Sequence, residues 1–287
     1  MTGLIIKAVS GEFTVYDIDT KEYIKCKPRG NISYNGESLT IGDYVSYDEN
    51  YKIITSVNQR KNTLVRPLIS NVDKMIIATS IKEPNLNLYL LDKMIAIYEY
   101  YDITPVLLFT KTDLIDDLKE LDEIKEYYSN IGYHVYYSSI NDYDKTIENE
   151  FDNNIICVSG NSGVGKSTFI NNLIPELNLK TDEISLSLGR GKHTTRHSEL
   201  YKYHNGWICD SPGFGNIEFM KMDSSIVSDL FIEFQGSRQE CKYNNCTHTN
   251  EPNCKIKEMV NNGIIRKSRY ENYLRFLEEV KKFKNKF

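Results

Sequence analysis

Hydrophobic positions along the chain fall into three regimes. In the first 67 residues, segments such as Gly11-Glu12-Phe13-Thr14-Val15-Tyr16-Asp17 and Tyr23-Ile24-Lys25-Cys26-Lys27 alternate with period two, as strands with one buried face do. Turn formers separate them at Lys27-Pro28-Arg29-Gly30, Asn35-Gly36 and Ile41-Gly42-Asp43. Short, evenly spaced strands predict an all-β barrel of the OB type over residues 1–68, ending near Arg66-Pro67. From Asn71 the pattern changes. Continuous apolar runs at 74–79, 105–109, 133–137 and 155–158 read as buried parallel strands, and Gly206-Trp207-Ile208-Cys209 as a further strand. Leu86 to Tyr101 and Asp117 to Ile131 read as helices between them. This alternation predicts a doubly wound α/β domain over residues 69–222. Beyond it, Ser224 to Phe234 reads as a helix and Ser268 to Lys286 as a basic helix, giving a small, mainly α part over 223–287.

Composition adds little to this multidomain picture: 287 residues with 40% hydrophobic and 26% charged side chains fit an ordinary globular chain. The N-terminus has no basic segment followed by a long apolar run, and no stretch approaches a membrane span. A cytoplasmic location and no membrane partner are therefore expected. Charge is more informative. Lys255 to Phe287 holds ten Lys or Arg against four Glu, a local +6 within a chain of net −5. A basic tail on an acidic body reads equally as a nucleic-acid contact or a solvated helix face. Arg60, Lys61 and Arg66 are further candidate RNA contacts. The aromatics beside Arg269 and Arg275 could stack on bases, but their helical spacing favours core packing.

Gly160-Asn161-Ser162-Gly163-Val164-Gly165-Lys166-Ser167 matches the phosphate-loop pattern at every fixed position, between an apolar strand and the helix-competent run from Thr168. Glycines let backbone N–H groups approach phosphates, and the following helix presents its positive end. Lys166 can reach the β- and γ-phosphates, and the Ser167 hydroxyl can ligate Mg²⁺. Asp210-Ser211-Pro212-Gly213 puts a carboxylate at a strand end before a turn, as a Mg²⁺-associated acid and γ-phosphate sensor require. Thr110-Lys111-Thr112-Asp113 ends another strand and resembles the Asn-Lys-x-Asp base-reading motif, with Thr where Asn is usual. A carboxylate at Asp113 can accept from the guanine ring N–H and amino group, a donor pair that adenine lacks. Ser138-Ser139 could add backbone contacts to the base edge. The base-reading segment precedes the phosphate loop, the reverse of the common order, so the domain reads as circularly permuted. Separately, Cys241-x4-Cys246-x-His248-x5-Cys254 offers three thiolates and an imidazole, the donor set of one closed structural Zn²⁺ site.

This order of motifs, with Gly191-Lys192-His193-Thr194-Thr195 between phosphate loop and sensor, resembles the ribosome small-subunit-dependent GTPase A family over nearly the whole chain. The resemblance implies an OB domain, a permuted GTPase and a zinc domain. It implies GTP hydrolysis stimulated by the small ribosomal subunit during late maturation of that subunit, with its rRNA as partner and the chain a monomer. Carried over, Thr110, Lys111, Thr112 and Asp113, with Gly160 to Thr168, bind GTP or GDP. Ser167, Thr195 and Asp210 hold Mg²⁺, with Thr194 the other candidate switch threonine. Phe214 stands where many GTPases carry a water-orienting Gln. His193 is the candidate to position water, beside Lys166 and Thr195 as catalytic residues. Two alternatives stay open. One is an RNA-binding module using GTP as a ligand switch with little turnover. The other is an ATP-dependent phosphate-loop enzyme, which Asp113 argues against.

Overall fold

A computed structural model describes residues 1–30, 32–65, 67–117, 119–177, 199–210 and 222–284, without the side chains of Asp210 and Lys284. The N-terminal strands are β1 (Thr2–Val9), β2 (Glu12–Asp17), β3 (Tyr23–Pro28), the short pair β4 (Ser33–Tyr34) and β5 (Glu37–Ser38), β6 (Tyr44–Asp48) and β7 (Ile53–Val57). Pairing runs β1-β2-β3-β7-β6 and returns to β1, with β3 and β7 parallel. This closed ring of five has the OB topology expected from the alternation. Leu4, Val15, Cys26, Val45 and Ile54 fill it.

Two polar clusters brace the barrel. Asp17 is buried, and its carboxylate accepts from the Tyr47 hydroxyl and the Thr20 amide. These bonds, the Tyr47 hydroxyl foremost, hold its pKa down to about 2. A folded pKa below the unfolded one stabilises above the ordinary carboxylate range and is lost as pH falls toward 2. Tyr47→Phe is therefore expected to cost about 1 kcal/mol at pH 7, with the gap from wild type closing between pH 4 and pH 2. Thermal melts across that range check this; a gap independent of pH would contradict it. In the second cluster, Arg60 is buried and its guanidinium is bidentate on Asp43, at 2.8 and 2.9 Å, and reaches Glu37 at 2.7 Å. The expectation of Arg60 as an RNA contact is thus corrected: the side chain is buried and its charge is paired with Asp43 and Glu37.

The hairpin β8 (Thr63–Val65) and β9 (Leu68–Ser70) follows, Val65 pairing with Leu68 on either side of Arg66-Pro67. Ser70 still bonds to Asp43, at 2.6 Å. Next come β10 (Lys74–Ser80), helix α1 (Leu88–Tyr100), β11 (Thr104–Thr110), α2 (Lys119–Asn130), β12 (His134–Tyr137), β13 (Ile155–Ser159) and α3 (Lys166–Leu173). The hairpin β14 (Glu199–Tyr203) and β15 (Gly206–Asp210) completes the sheet. Its order is β12-β11-β10-β13-β15-β14, parallel except at β14. Alternate residues of each strand enter opposite cores: Met75, Ile77, Leu107 and Phe109 on one face, Ile76, Ala78, Val106 and Leu108 on the other with α3. Hence the runs are apolar throughout. At the far edge β14 pairs with β1 of the barrel, Lys7 opposite Glu199, so one eleven-stranded sheet links the two. The pattern missed β14, whose Leu-Tyr-Lys-Tyr run is half polar.

The C-terminal part holds α4 (Ile232–Gln235), α5 (Lys255–Asn261) and α6 (Lys267–Lys284). The expected helix from Ser224 is instead a 3-10 turn, Ser224–Leu230, that stops at the extended residue Phe231. Helix α6 packs on α1. Arg269 is fully buried there, 2.6 Å from Asp92 of α1 and 2.7 Å from Glu233 of α4, with Phe231 under its guanidinium. Tyr273 and Phe276 of the same helix are buried with it, so core packing, not base stacking, is their role. No helix among the described residues is long and apolar enough to cross a membrane.

Candidate nucleotide and metal sites

Open parallel sheets bind ligands beyond the carboxyl ends of their strands, and the sequence motifs collect there. β13 ends at Ser159, and the backbone turns through Gly160 at φ 143° and Gly165 at φ 92°. At Gly160 a Cβ would stand 2.2 Å from the Ala78 carbonyl oxygen, so only glycine fits. Gly165, in the left-handed region, caps α3. The first amides of that helix have no intrahelical acceptor and remain for an anion. Lys166 Nζ lies 2.8 Å from the Gly160 carbonyl and 2.6 Å from that of Asn161, across the mouth of the loop. Ser167 and Thr168 occupy the first turn of α3, half-buried.

The Thr110–Asp113 segment leaves the end of β11 two strands away. The Thr110 hydroxyl reaches the carbonyls of Val164 and, at 3.3 Å, Thr79. The Thr110–Asp113 and Gly160–Ser167 loops are therefore joined side by side, although the chain visits them in the reverse of the usual order. Threonine instead of asparagine still provides a donor to the phosphate loop. Lys111, at φ 57°, turns the chain and donates to the Glu83 carbonyl. The amide and hydroxyl of Thr112 lie 3.3 and 3.4 Å from the Ser138 carbonyl, which brings Ser138-Ser139 alongside. The Asp113 carboxylate is exposed beside this junction. His193, Thr194, Thr195 and Phe214 lie outside the described residues. Asp210 ends β15, its backbone opposite Glu199.

The second site is built by the turn 241–254, before α5. The ligating atoms of Cys241, Cys246, His248 and Cys254 all fall within 4.8 Å of one another, and all four residues are buried. His248 Nδ1 is 3.6 Å from the Cys241 sulfur and 3.4 Å from that of Cys254. A tetrahedron with Zn–S and Zn–N arms of ordinary length spans about 3.5 Å between nitrogen and sulfur, so the donors fit. Burial pushes the Cys246 and Cys254 thiols up when no cation is near; a metal charge reverses that preference. Tyr270 and Tyr273 of α6 donate to the carbonyls of His248 and Thr247, at 2.6 and 2.5 Å, and hold the turn in place.

Barrel, phosphate loop and reversed motif order define a circularly permuted GTPase fold. The RsgA GTPase family model matches residues 57–220, and the chain belongs to that family. The small ribosomal subunit biogenesis GTPase RsgA of Staphylococcus aureus is 41% identical over 285 residues, covering 97% of each chain. RsgA 2 of Oceanobacillus iheyensis is 42% identical over 292 residues, 99% of each. Among solved structures, YjeQ from Thermotoga maritima superposes with a TM-score of 0.83 at 33% identity, over 97% of this chain and 98% of that one. YloQ, described as a circularly permuted GTPase, gives 0.82 at 32% identity, over 98% and 95%.

Three polar groups beside the site carry no motif signal: Tyr98, Ser159 and the Glu83 carbonyl. Tyr98 sits at a core position of α1 and Ser159 ends an apolar strand. Neither spacing nor composition marks them; only the tertiary contact does.

Proposed function

We propose that this chain is a GTP-hydrolysing assembly factor that binds the small ribosomal subunit in the cytoplasm as a monomer and assists its late maturation. The observation that supports the nucleotide part is the Thr110 hydroxyl on the Val164 carbonyl, which ties the Thr110–Asp113 loop to the Gly160–Ser167 loop. The names of the full-length relatives support the ribosomal part. In this reading the barrel (1–68), the GTPase (69–222) and the metal-binding part (223–287) are three working units. Thr110, Lys111, Thr112 and Asp113 take the guanine. Gly160, Asn161, Ser162, Gly163, Val164, Gly165, Lys166, Ser167 and Thr168 take the phosphates.

Ser167, Thr195 and Asp210 would hold Mg²⁺, which neutralises charge developing on the phosphates. Lys166 gives up its two carbonyl partners for phosphate oxygens. Phe214 cannot orient water, so His193 is assigned that task, with Lys166 and Thr195 beside it as catalytic residues. Cys241, Cys246, His248 and Cys254 would hold one structural Zn²⁺, leaving no open position for catalysis.

Asp113 gives the direct test of the nucleotide assignment. Asp113→Asn leaves the guanine donors without a carboxylate, and GTP affinity is expected to fall by at least about tenfold against ATP. Competition binding with GTP and ATP measures it. An unchanged preference would return the ATP-dependent reading.

A further inference from the structure

We propose that Tyr98 is a positioning residue of the phosphate loop: from α1 it fixes Ser159, the last residue before Gly160, and thereby sets the loop's grip on the nucleotide. This rests on the reading of Gly160 to Thr168 as the phosphate site. The Tyr98 hydroxyl donates to Ser159 Oγ at 2.6 Å, and the two residues are 1% and 0% exposed. Phenylalanine and alanine of similar shape would fill the same space at nearly the same stability. What the hydroxyls add is direction, since a buried donor accepts few arrangements of its partner.

The position gives that direction a use. The loop backbone lies hard against β10 at Gly160, where the Ala78 carbonyl leaves no room for a Cβ. At its far end the Thr110 hydroxyl holds the Val164 carbonyl. Tyr98 supplies the remaining fixed point, at the strand end where the loop begins. The close approach to β10 and the bonds from β11 and α1 thus constrain the loop at three points.

Helix α1 is itself held from behind. Leu91, Ile95 and Tyr98 enter the core of the sheet, whereas Ala96 and Ile97 enter the core of the C-terminal part. Asp92 takes Arg269 and Asn272 of α6, both at 2.6 Å. Tyr89 and Lys93 both bond to Glu279 of α6. The rotation of α1, and with it the reach of Tyr98, is therefore set by the docking of α6. The phosphate loop is coupled to the C-terminal part through one helix.

The test measures fluorescent-GDP affinity and GTP turnover for the full chain as wild type, Tyr98→Phe, Ser159→Ala and the double variant. Tyr47→Phe, which also removes a buried tyrosine hydroxyl bond, serves as control in the barrel. Expected is a loss of nucleotide affinity of about three- to tenfold in each single variant, with no further loss in the double variant. KM is expected to rise by the same factor while kcat at saturating GTP stays within about twofold, and Tyr47→Phe binds as wild type does. Wild-type affinity in Tyr98→Phe and Ser159→Ala, in a chain that binds GDP, would overturn the positioning role alone. So would an equal loss in Tyr47→Phe, or additive losses in the double variant. A wild type that binds no guanine nucleotide would overturn it together with the nucleotide assignment.

Discussion

Arg269→Ala is expected to destabilise the chain by about 3–5 kcal/mol, because it strands two buried carboxylates. Arg269 is 1% exposed, and Asp92 and Glu233, its partners, are each buried within the same joint. Desolvation opposes every one of these charges, and the pair geometry offsets it. Asp92 also accepts from Tyr128 and Asn272, each at 2.6 Å. Remove the guanidinium and Asp92 faces a raised pKa from burial with its main counter-charge gone. The aromatic surround of Phe231, Tyr128 and Tyr133 loses its cation as well. The C-terminal part should detach from α1 before the sheet melts, so chemical denaturation should change from one transition to two. Arg269→Met keeps most of the stem volume and is expected to cost no less, since the carboxylates remain. An unfolding free energy within about 0.5 kcal/mol of wild type for both variants, the scale of an ordinary surface substitution, would show that the ion pairs are solvated.

Removal of the metal is expected to have the other large effect. Structural Zn²⁺ contributes on the order of 10 kcal/mol to small domains that fold around it, and here the donor set sits at the centre of the C-terminal core. Phe234 and Tyr273 pack on the His248 ring, and Tyr270 and Tyr273 bond to the adjacent backbone. Without a cation, three buried sulfurs and an imidazole lack a common partner. A strong chelator, or Cys254→Ala, should open the 241–254 turn and expose Lys255 and Lys257 to trypsin. The nucleotide site should lose only the support that α6 gives α1, so GDP affinity should fall by less than about tenfold. Cleavage and binding assays, with zinc content determined on the same samples, separate the two effects. Full resistance to trypsin after complete metal loss would contradict the structural assignment.

Much of this site was readable from residues alone. The phosphate loop, the Asp113 segment and the cysteine cluster each need fixed residue types at fixed local spacing, and local spacing survives in a sequence. The parallel strands were readable because both of their faces are buried, which makes the runs uniformly apolar. Long-range pairing was not readable. Arg60 and Arg269 look like surface cations until Asp43 and Asp92 arrive from distant elements. Tyr98 looks like helix core until Ser159 meets it across 61 residues of chain. The break at Phe231 escaped for a related reason: the apolar spacing of 224–234 continues through it, while Phe231 packs on Tyr273 and Phe276 of α6. Strand β14 was hidden because it packs between barrel and sheet with one polar side, paired by Lys7 and Glu199.

GTP hydrolysis that depends on a ribosomal partner is tested by one measurement. Steady-state phosphate release by the purified chain is followed with GTP alone and with small ribosomal subunits added, for wild type and His193→Ala. With Phe214 where many GTPases carry a water-orienting Gln, water is poorly placed until a partner completes the site, so subunits are expected to raise the wild-type rate at least about tenfold. His193→Ala should bind nucleotide normally and lose most of that stimulation. Equal wild-type rates with and without subunits would contradict the account and leave a GTP-switched RNA-binding module in its place.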